Sequence, residues 1–83
     1  MTEETLEKAK QLELQMHHWR EQIDELRKVI SSPAYYHIGF TSEHNQGYIK
    51  TEMNNMLMVP FAKQCLEFAE NRLRDAQNEL AKL

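Results

Sequence analysis

Five residues between positions 35 and 50 are of types that could bind an anionic aromatic ligand. They are Tyr35, His37, Thr41, Tyr48 and Lys50. Tyrosine rings offer faces for base stacking, a lysine ammonium pairs with a phosphate or carboxylate, and imidazole and hydroxyl groups form hydrogen bonds. Such a set suits a nucleotide or a similar small molecule. Tyrosine and threonine also favour strands, so ordinary strand propensity is the alternative explanation.

Catalytic and metal chemistry has less support in the sequence. His17 and His18 are adjacent, whereas two metal ligands on one helix are three or four residues apart. His17 and Glu21 have that spacing, but two ligands do not complete a site. Cys65 lacks the flanking signature of a catalytic cysteine. We therefore predict a protein that is not an enzyme and that uses no metal and no cofactor.

The candidate ligand-binding residues fall in a predicted β-hairpin over residues 35–53. This segment contains both glycines and alternates with a period of two around a loop at 43–46. Pairing outward from the loop sets Thr41 opposite Tyr48, and it places all five candidates on one face. The opposite face is then apolar and consists of Tyr36, Ile38, Phe40, Ile49, Thr51 and Met53. The structural alternative pairs His37 with Glu52 and Tyr48 with Thr41 as ordinary cross-strand neighbours.

Apolar residues at heptad spacing predict a long helix on each side of the hairpin, over residues 3–31 and 57–82. In the first helix they are Ala9, Leu12, Met16, Trp19, Ile23, Leu26 and Ile30. In the second they are Val59, Ala62, Leu66, Ala69, Leu73, Ala76, Leu80 and Leu83. Thr2 is the predicted N-cap of the first helix, and Asn54 and Asn55 are predicted to cap a short turn before Pro60. The chain is predicted to be one mainly α domain, residues 1–83, with two antiparallel helices joined by a small hairpin.

A second apolar stripe on the later helix predicts self-association. Phe61, Cys65 and Phe68 lie off the main seam, so the first helix cannot cover them fully. Small domains without disulfides or metals are commonly stabilised by oligomerisation. We therefore expect a homo-oligomeric helical bundle with these three residues at the interface. In the alternative arrangement, the hairpin folds back over Phe61 and Phe68.

The composition excludes several classes of partner. The 83 residues include 10 basic and 13 acidic side chains, a formal charge of −3, which does not favour DNA binding. No apolar run has the length of a membrane span, so no membrane partner is expected. A single cysteine favours the reducing cytoplasm over a disulfide-forming compartment.

The order of elements resembles that of small accessory proteins encoded by bacteriophages. Some of those proteins are sponges that sequester the nucleotide second messengers of bacterial immune systems. The resemblance covers the whole chain as helix, hairpin and helix, and no sequence motif carries it. It implies a symmetric, non-catalytic oligomer that removes a nucleotide-like ligand in the host cytoplasm and so evades immunity. The alternative function is a scaffold or inhibitor that docks a protein partner through its helical stripes or hairpin.

Overall fold

The computed structural model describes residues 2–83. Helix α1 spans Glu3–Ser31, a short 3₁₀ turn spans Pro33–Tyr35, strand β1 spans Gly39–Thr41, strand β2 spans Gln46–Tyr48, and helix α2 spans Thr51–Ala81. The two strands form an antiparallel hairpin. The predicted arrangement of two long helices joined by a small hairpin is therefore confirmed.

The limits of α1 follow from its end residues. The Thr2 hydroxyl accepts a hydrogen bond from the Thr5 N–H at 3.1 Å, which satisfies one of the free donors at the helix start. Glu3 and Glu4 lie in the first turn, where the helix dipole favours negative charge. The helix ends before Pro33 because a residue that precedes proline is disfavoured in helical geometry. The predicted helix over 3–31 is confirmed.

Helix α2 begins at Thr51, several residues before the predicted start at 57. Asn54 was predicted to cap a separate leading turn, and this prediction was wrong because Asn54 is inside the helix. Its side chain accepts from the Ile38 N–H at 2.7 Å and donates to the Tyr36 carbonyl at 3.2 Å. Pro60 also lies within the helix, where it cannot donate a hydrogen bond to the carbonyl one turn earlier.

The hairpin is shorter than predicted, and its register differs by two residues. Gly39 pairs with Tyr48, whereas Thr41 was predicted there, and Thr41 instead pairs with Gln46. The shift arises at the loop, where the Ser42 N–H donates to the Asn45 carbonyl at 2.8 Å. Because two is the side-chain period of a strand, the shift keeps the residues of β1 and β2 on their predicted faces. Thr51 and Met53, which were predicted on the apolar face of the hairpin, belong to α2 instead. The predicted pairing of His37 with Glu52 does not form, since residue 52 belongs to α2.

The two helices pack antiparallel through the predicted seams. Leu12 and Met16 of α1 form a buried cluster with Ala76 near the end of α2. Ala62, Ala69 and Ala76, seven residues apart, are all buried. Small side chains at this spacing let the α1 backbone approach closely.

The molecule is one helix thick. Its radius of gyration is 16.9 Å, compared with about 12 Å for a compact globule of this length. Its principal extents are 54 × 30 × 15 Å, and the smallest of these is close to the diameter of a single helix, about 10–12 Å. A side chain on a broad face of this layer therefore has no second layer of the same chain to cover it.

We expect Asn54→Ala to weaken the attachment of the hairpin to α2. The substitution leaves the Ile38 N–H and the Tyr36 carbonyl without their partner, which typically costs about 1–3 kcal/mol for a buried group. Urea unfolding and hydrogen exchange of the Ile38 amide measure the effect. Asn55→Ala is the matched control, because Asn55 is an exposed neighbour in the same helix. Equal effects of the two substitutions would contradict the role given to Asn54.

Candidate functional site

Three of the five candidate ligand residues lie together on the outer face of the hairpin. His37, Tyr48 and Lys50 line one open depression of about 570 Å³, together with Ile49 and Thr51. His37 Nε2 is 2.7 Å from the Ile49 carbonyl oxygen. A carbonyl can only accept, so His37 holds its hydrogen on Nε2 in this contact. The imidazole and the Tyr48 ring meet edge to face, with centroids 5.4 Å apart.

Gly39 creates the space that the Tyr48 ring occupies. A β-carbon at residue 39 would lie 2.8 Å from Tyr48 Cδ1 and 3.0 Å from the Gly47 carbonyl oxygen. Both distances are shorter than an ordinary van der Waals contact. Glycine at this position therefore lets the tyrosine lie across the neighbouring strand and beside His37.

The other two candidates, Tyr35 and Thr41, lie elsewhere. Tyr35 belongs to the 3₁₀ turn and not to a strand, and it is 88% exposed. It lines a different depression, together with Arg27, Lys28, Ser31, Ser32 and Tyr36. Thr41 pairs with Gln46 beside the hairpin loop. The predicted five-residue site is thus divided, and His37, Tyr48 and Lys50 form what we call the hairpin cluster.

The depression beside Tyr35 was not recognised in the sequence. It contains two cations from the last turns of α1, Arg27 and Lys28. The Lys28 ammonium lies 3.2 Å from Glu25 Oε1, and this hydrogen bond and the negative charge of Glu25 raise the pKa of Lys28. Lys28 is therefore already paired. The sequence signal for this depression is weak: Arg27 and Lys28 precede the helix-ending Ser-Ser-Pro, and Tyr35 follows it two residues later.

The histidines of α1 are placed as their spacing indicates. His17 Nε2 is 2.9 Å from Glu21 Oε1, and both side chains are exposed. Within residues 2–83, no group of three or more histidine, cysteine, aspartate or glutamate side chains is arranged to hold a metal ion. Over the same residues, neither helix combines the length and the apolar character that a bilayer span requires.

The predicted oligomer-interface residues line a groove between the two helices. Phe61 and Phe68 are 51% and 53% exposed, and Cys65 between them is partly buried. The groove has a volume of about 370 Å³, and Trp19 of α1 contributes to its wall. The Trp19 ring meets Phe68 edge to face at 5.8 Å. The Arg72 guanidinium lies 5.1 Å from the centroid of the same phenyl ring.

A second groove continues this apolar surface onto the hairpin. It has a volume of about 390 Å³ and is lined by Ile38, Phe40, Ile49, Met53, Leu57, Pro60, Phe61 and Gln64. The hairpin therefore approaches Phe61, as the alternative arrangement expected, but it leaves half of that side chain exposed. Phe40 itself is 70% exposed, and Phe68 borders only the first groove.

We call the exposed residues along these two grooves the apolar surface. They are Phe40, Met53, Leu57, Phe61 and Phe68. Phe61 and Phe68 were predicted from the sequence to be interface residues. Leu57 and Phe40 were not predicted to lie on the same surface. Their addition depends on how the hairpin lies on α2.

Searches against protein-family models, curated proteins and solved structures found no match to this chain. The geometry instead distinguishes two surfaces. The hairpin cluster offers one cation, one aromatic ring and one imidazole in an open depression. The apolar surface offers large side chains along one side of α2.

We expect Gly39→Ala to displace the Tyr48 ring from His37. The added methyl would occupy the space of Tyr48 Cδ1, which the exposed ring can leave, and it would lie 3.0 Å from the Gly47 carbonyl oxygen, which must shift slightly. We expect a loss of stability of about 0.5–1 kcal/mol. Aromatic NMR resonances of Tyr48 and His37, and the contact between the rings, report the displacement. Gly47→Ala is the matched control because a β-carbon at residue 47 meets no atom within 4 Å. Unchanged resonances in Gly39→Ala would contradict the close packing described here.

Proposed function

We propose that this chain is a non-catalytic interaction protein that acts as a self-associated helical scaffold. The observation that carries the proposal is the apolar surface on a molecule only one helix thick. A second copy packed on this surface supplies the layer that a single chain lacks.

The size of the apolar surface fits a protein interface. Phe40, Phe61 and Phe68 are 70%, 51% and 53% exposed. At about 200 Å² for a fully exposed aromatic side chain, these three residues present about 350 Å² of apolar area. That is close to half of the roughly 800 Å² that each partner buries in a standard protein interface. Contiguous apolar patches of this size on a monomer commonly mark interaction sites.

The small core gives the chain a thermodynamic reason to associate. Among residues 2–83, the buried apolar side chains are Leu12, Met16, Ile23, Met58, Ala62, Ala69 and Ala76. Alanines contribute little burial, so the hydrophobic stabilisation available within one chain is limited. Full burial of one exposed phenylalanine between two copies contributes about 1.5–3 kcal/mol. Association therefore adds stability that a single layer of helices does not provide.

We expect the double substitution Phe61→Ser and Phe68→Ser to dissociate the assembly. It removes the two largest side chains of the predicted interface. Because each is already about half buried in one chain, burial of the remainder is worth about 1.5–3 kcal/mol per copy for the two together. Analytical ultracentrifugation at a protein concentration of roughly tens of micromolar measures the change in mass.

The control for this experiment is Leu14→Ser. Leu14 is 71% exposed on α1 and lines neither groove, so its replacement should leave the assembly intact. Circular dichroism of both variants verifies that the helices remain folded. A wild-type chain that sediments as a monomer would rule out the scaffold function.

The hairpin cluster supports a second candidate function, the sequestration of a nucleotide-like anionic small molecule. His37, Tyr48 and Lys50 converge on one depression, and they supply a hydrogen-bonding ring, a stacking surface and a positive charge. Symmetric association would present two such clusters per dimer. This is the function expected of a phage counter-defence sponge, and it would place the chain in the cytoplasm, of the host cell if a phage encodes it.

Calorimetric titration with cyclic and linear nucleotides tests this second candidate. If a nucleotide binds, Tyr48→Ala should weaken binding by about 1–3 kcal/mol, the usual contribution of one base–aromatic stack. Lys50→Glu should weaken it as well, because it reverses the charge that faces the anion. Tyr35→Ala should have no effect, since Tyr35 lies in a different depression. If a folded and assembled protein binds no nucleotide of the panel, the sequestration function is ruled out and the scaffold function is the remaining candidate.

A further inference from the structure

A second heptad seam runs along α2 beside its main contact with α1, and part of it borders the groove between the two helices. It consists of Leu57, Phe61, Gln64 and Phe68, which are spaced by four, three and four residues. All four residues are exposed. This spacing brings them onto one side of the helix. The order of these spacings is the same in both directions along the chain, as in any heptad seam, so the seam can face an antiparallel copy of itself.

The two grooves are arranged about the same central point. Phe61 and Gln64 are the residues that line both of them. The groove on the Phe68 side measures about 370 Å³ and the groove on the Leu57 side about 390 Å³. The apolar surface therefore has two halves of similar size that meet between Phe61 and Gln64.

Resting on the self-association proposed above, we infer that a two-fold axis passes between Phe61 and Gln64, perpendicular to α2. Rotation about this axis packs α2 antiparallel against the α2 of a second copy and produces a four-helix dimer. Leu57 then packs against the partner's Phe68, and Phe61 packs beside the partner's Gln64. Each copy thus fills the grooves of the other with the same residues, as an isologous interface demands.

Gln64 sets the register of this pairing. It is the polar residue within an otherwise apolar seam. A side-chain amide has both donors and an acceptor, so two copies of Gln64 beside a two-fold axis can satisfy each other. A polar residue at one seam position of a coiled coil specifies register, because any slip buries it against apolar side chains.

Cysteine cross-linking tests the position of the axis. In a Cys65→Ala background, which removes the single native thiol, Gln64→Cys should cross-link to itself with a short bismaleimide. We expect at least about tenfold more cross-linked dimer than for Leu14→Cys, because proximity at the axis raises the effective concentration of the thiols. Met53→Cys lies far from the axis and should not cross-link to itself. When it is mixed with an Asn71→Cys protein of different mass, it should form the mixed dimer.

The outcomes separate this inference from the proposed function. A wild-type chain that sediments as a monomer overturns both. A dimer in which Met53→Cys cross-links to itself is parallel, and it overturns the inference while the scaffold function stands. A dimer in which Gln64→Cys cross-links no more than Leu14→Cys has its axis elsewhere and overturns the inference in the same way. Sedimentation of each cysteine variant before cross-linking verifies that it still assembles.

Discussion

Asn54 joins the hairpin to α2 through a pair of hydrogen bonds that run in opposite directions. Its amide oxygen accepts from the Ile38 N–H and its amide nitrogen donates to the Tyr36 carbonyl, so the side chain pairs with the backbone much as a neighbouring strand would. The side chain is only 4% exposed, and a buried backbone group without a partner is costly. This contact fixes where β1 begins relative to α2. The position of His37 in the hairpin cluster and of Phe40 on the apolar surface both follow from it.

The alanines of α2 determine what remains exposed. Ala62, Ala69 and Ala76 bring α1 and α2 close together, and close helices leave little room between them for large side chains. Leu73 and Leu80 still pack against the buried cluster between the helices, whereas Phe61 and Phe68 lie outside the alanine positions and stay half exposed. A tight contact between the two helices and a broad unpartnered face are thus two results of one distribution of small and large residues.

The helices could be predicted because their signals are local. Heptad spacing, the Thr2 cap and Pro33 all act within a few residues of the feature that they determine.

The register of the hairpin and the early start of α2 could not be predicted from such signals. The early start of α2 depends on the Asn54 contacts, which join residues 16 and 18 positions apart and form only when the chain is folded. The register depends on which loop residues close the turn, here Ser42 and Asn45. The faces of the two short strands were nevertheless predicted correctly, because an error of two residues preserves the alternation. The assignment fails for Thr51, which begins α2 and lines the depression beside His37. Tyr35 was predicted on the same face as the other ligand-binding candidates because the strand pattern was extended across a 3₁₀ turn that no periodicity in the sequence indicates.

The hairpin connects the two surfaces physically. Successive residues of extended chain point to opposite faces, so His37, which precedes β1, faces the cluster while Ile38 faces the apolar surface. Tyr48 at the end of β2 and Ile49 directly after it divide in the same manner. Ile49 also borders the cluster through its carbonyl group. A slip of one residue would exchange the two faces and destroy both surfaces together. A partner that packs on Phe40 and Ile38 would also restrain the strand that carries His37, and any ligand of the cluster would then bind to a more ordered hairpin at a smaller entropic cost. Self-association and ligand capture are therefore compatible in this fold, and the first would strengthen the second.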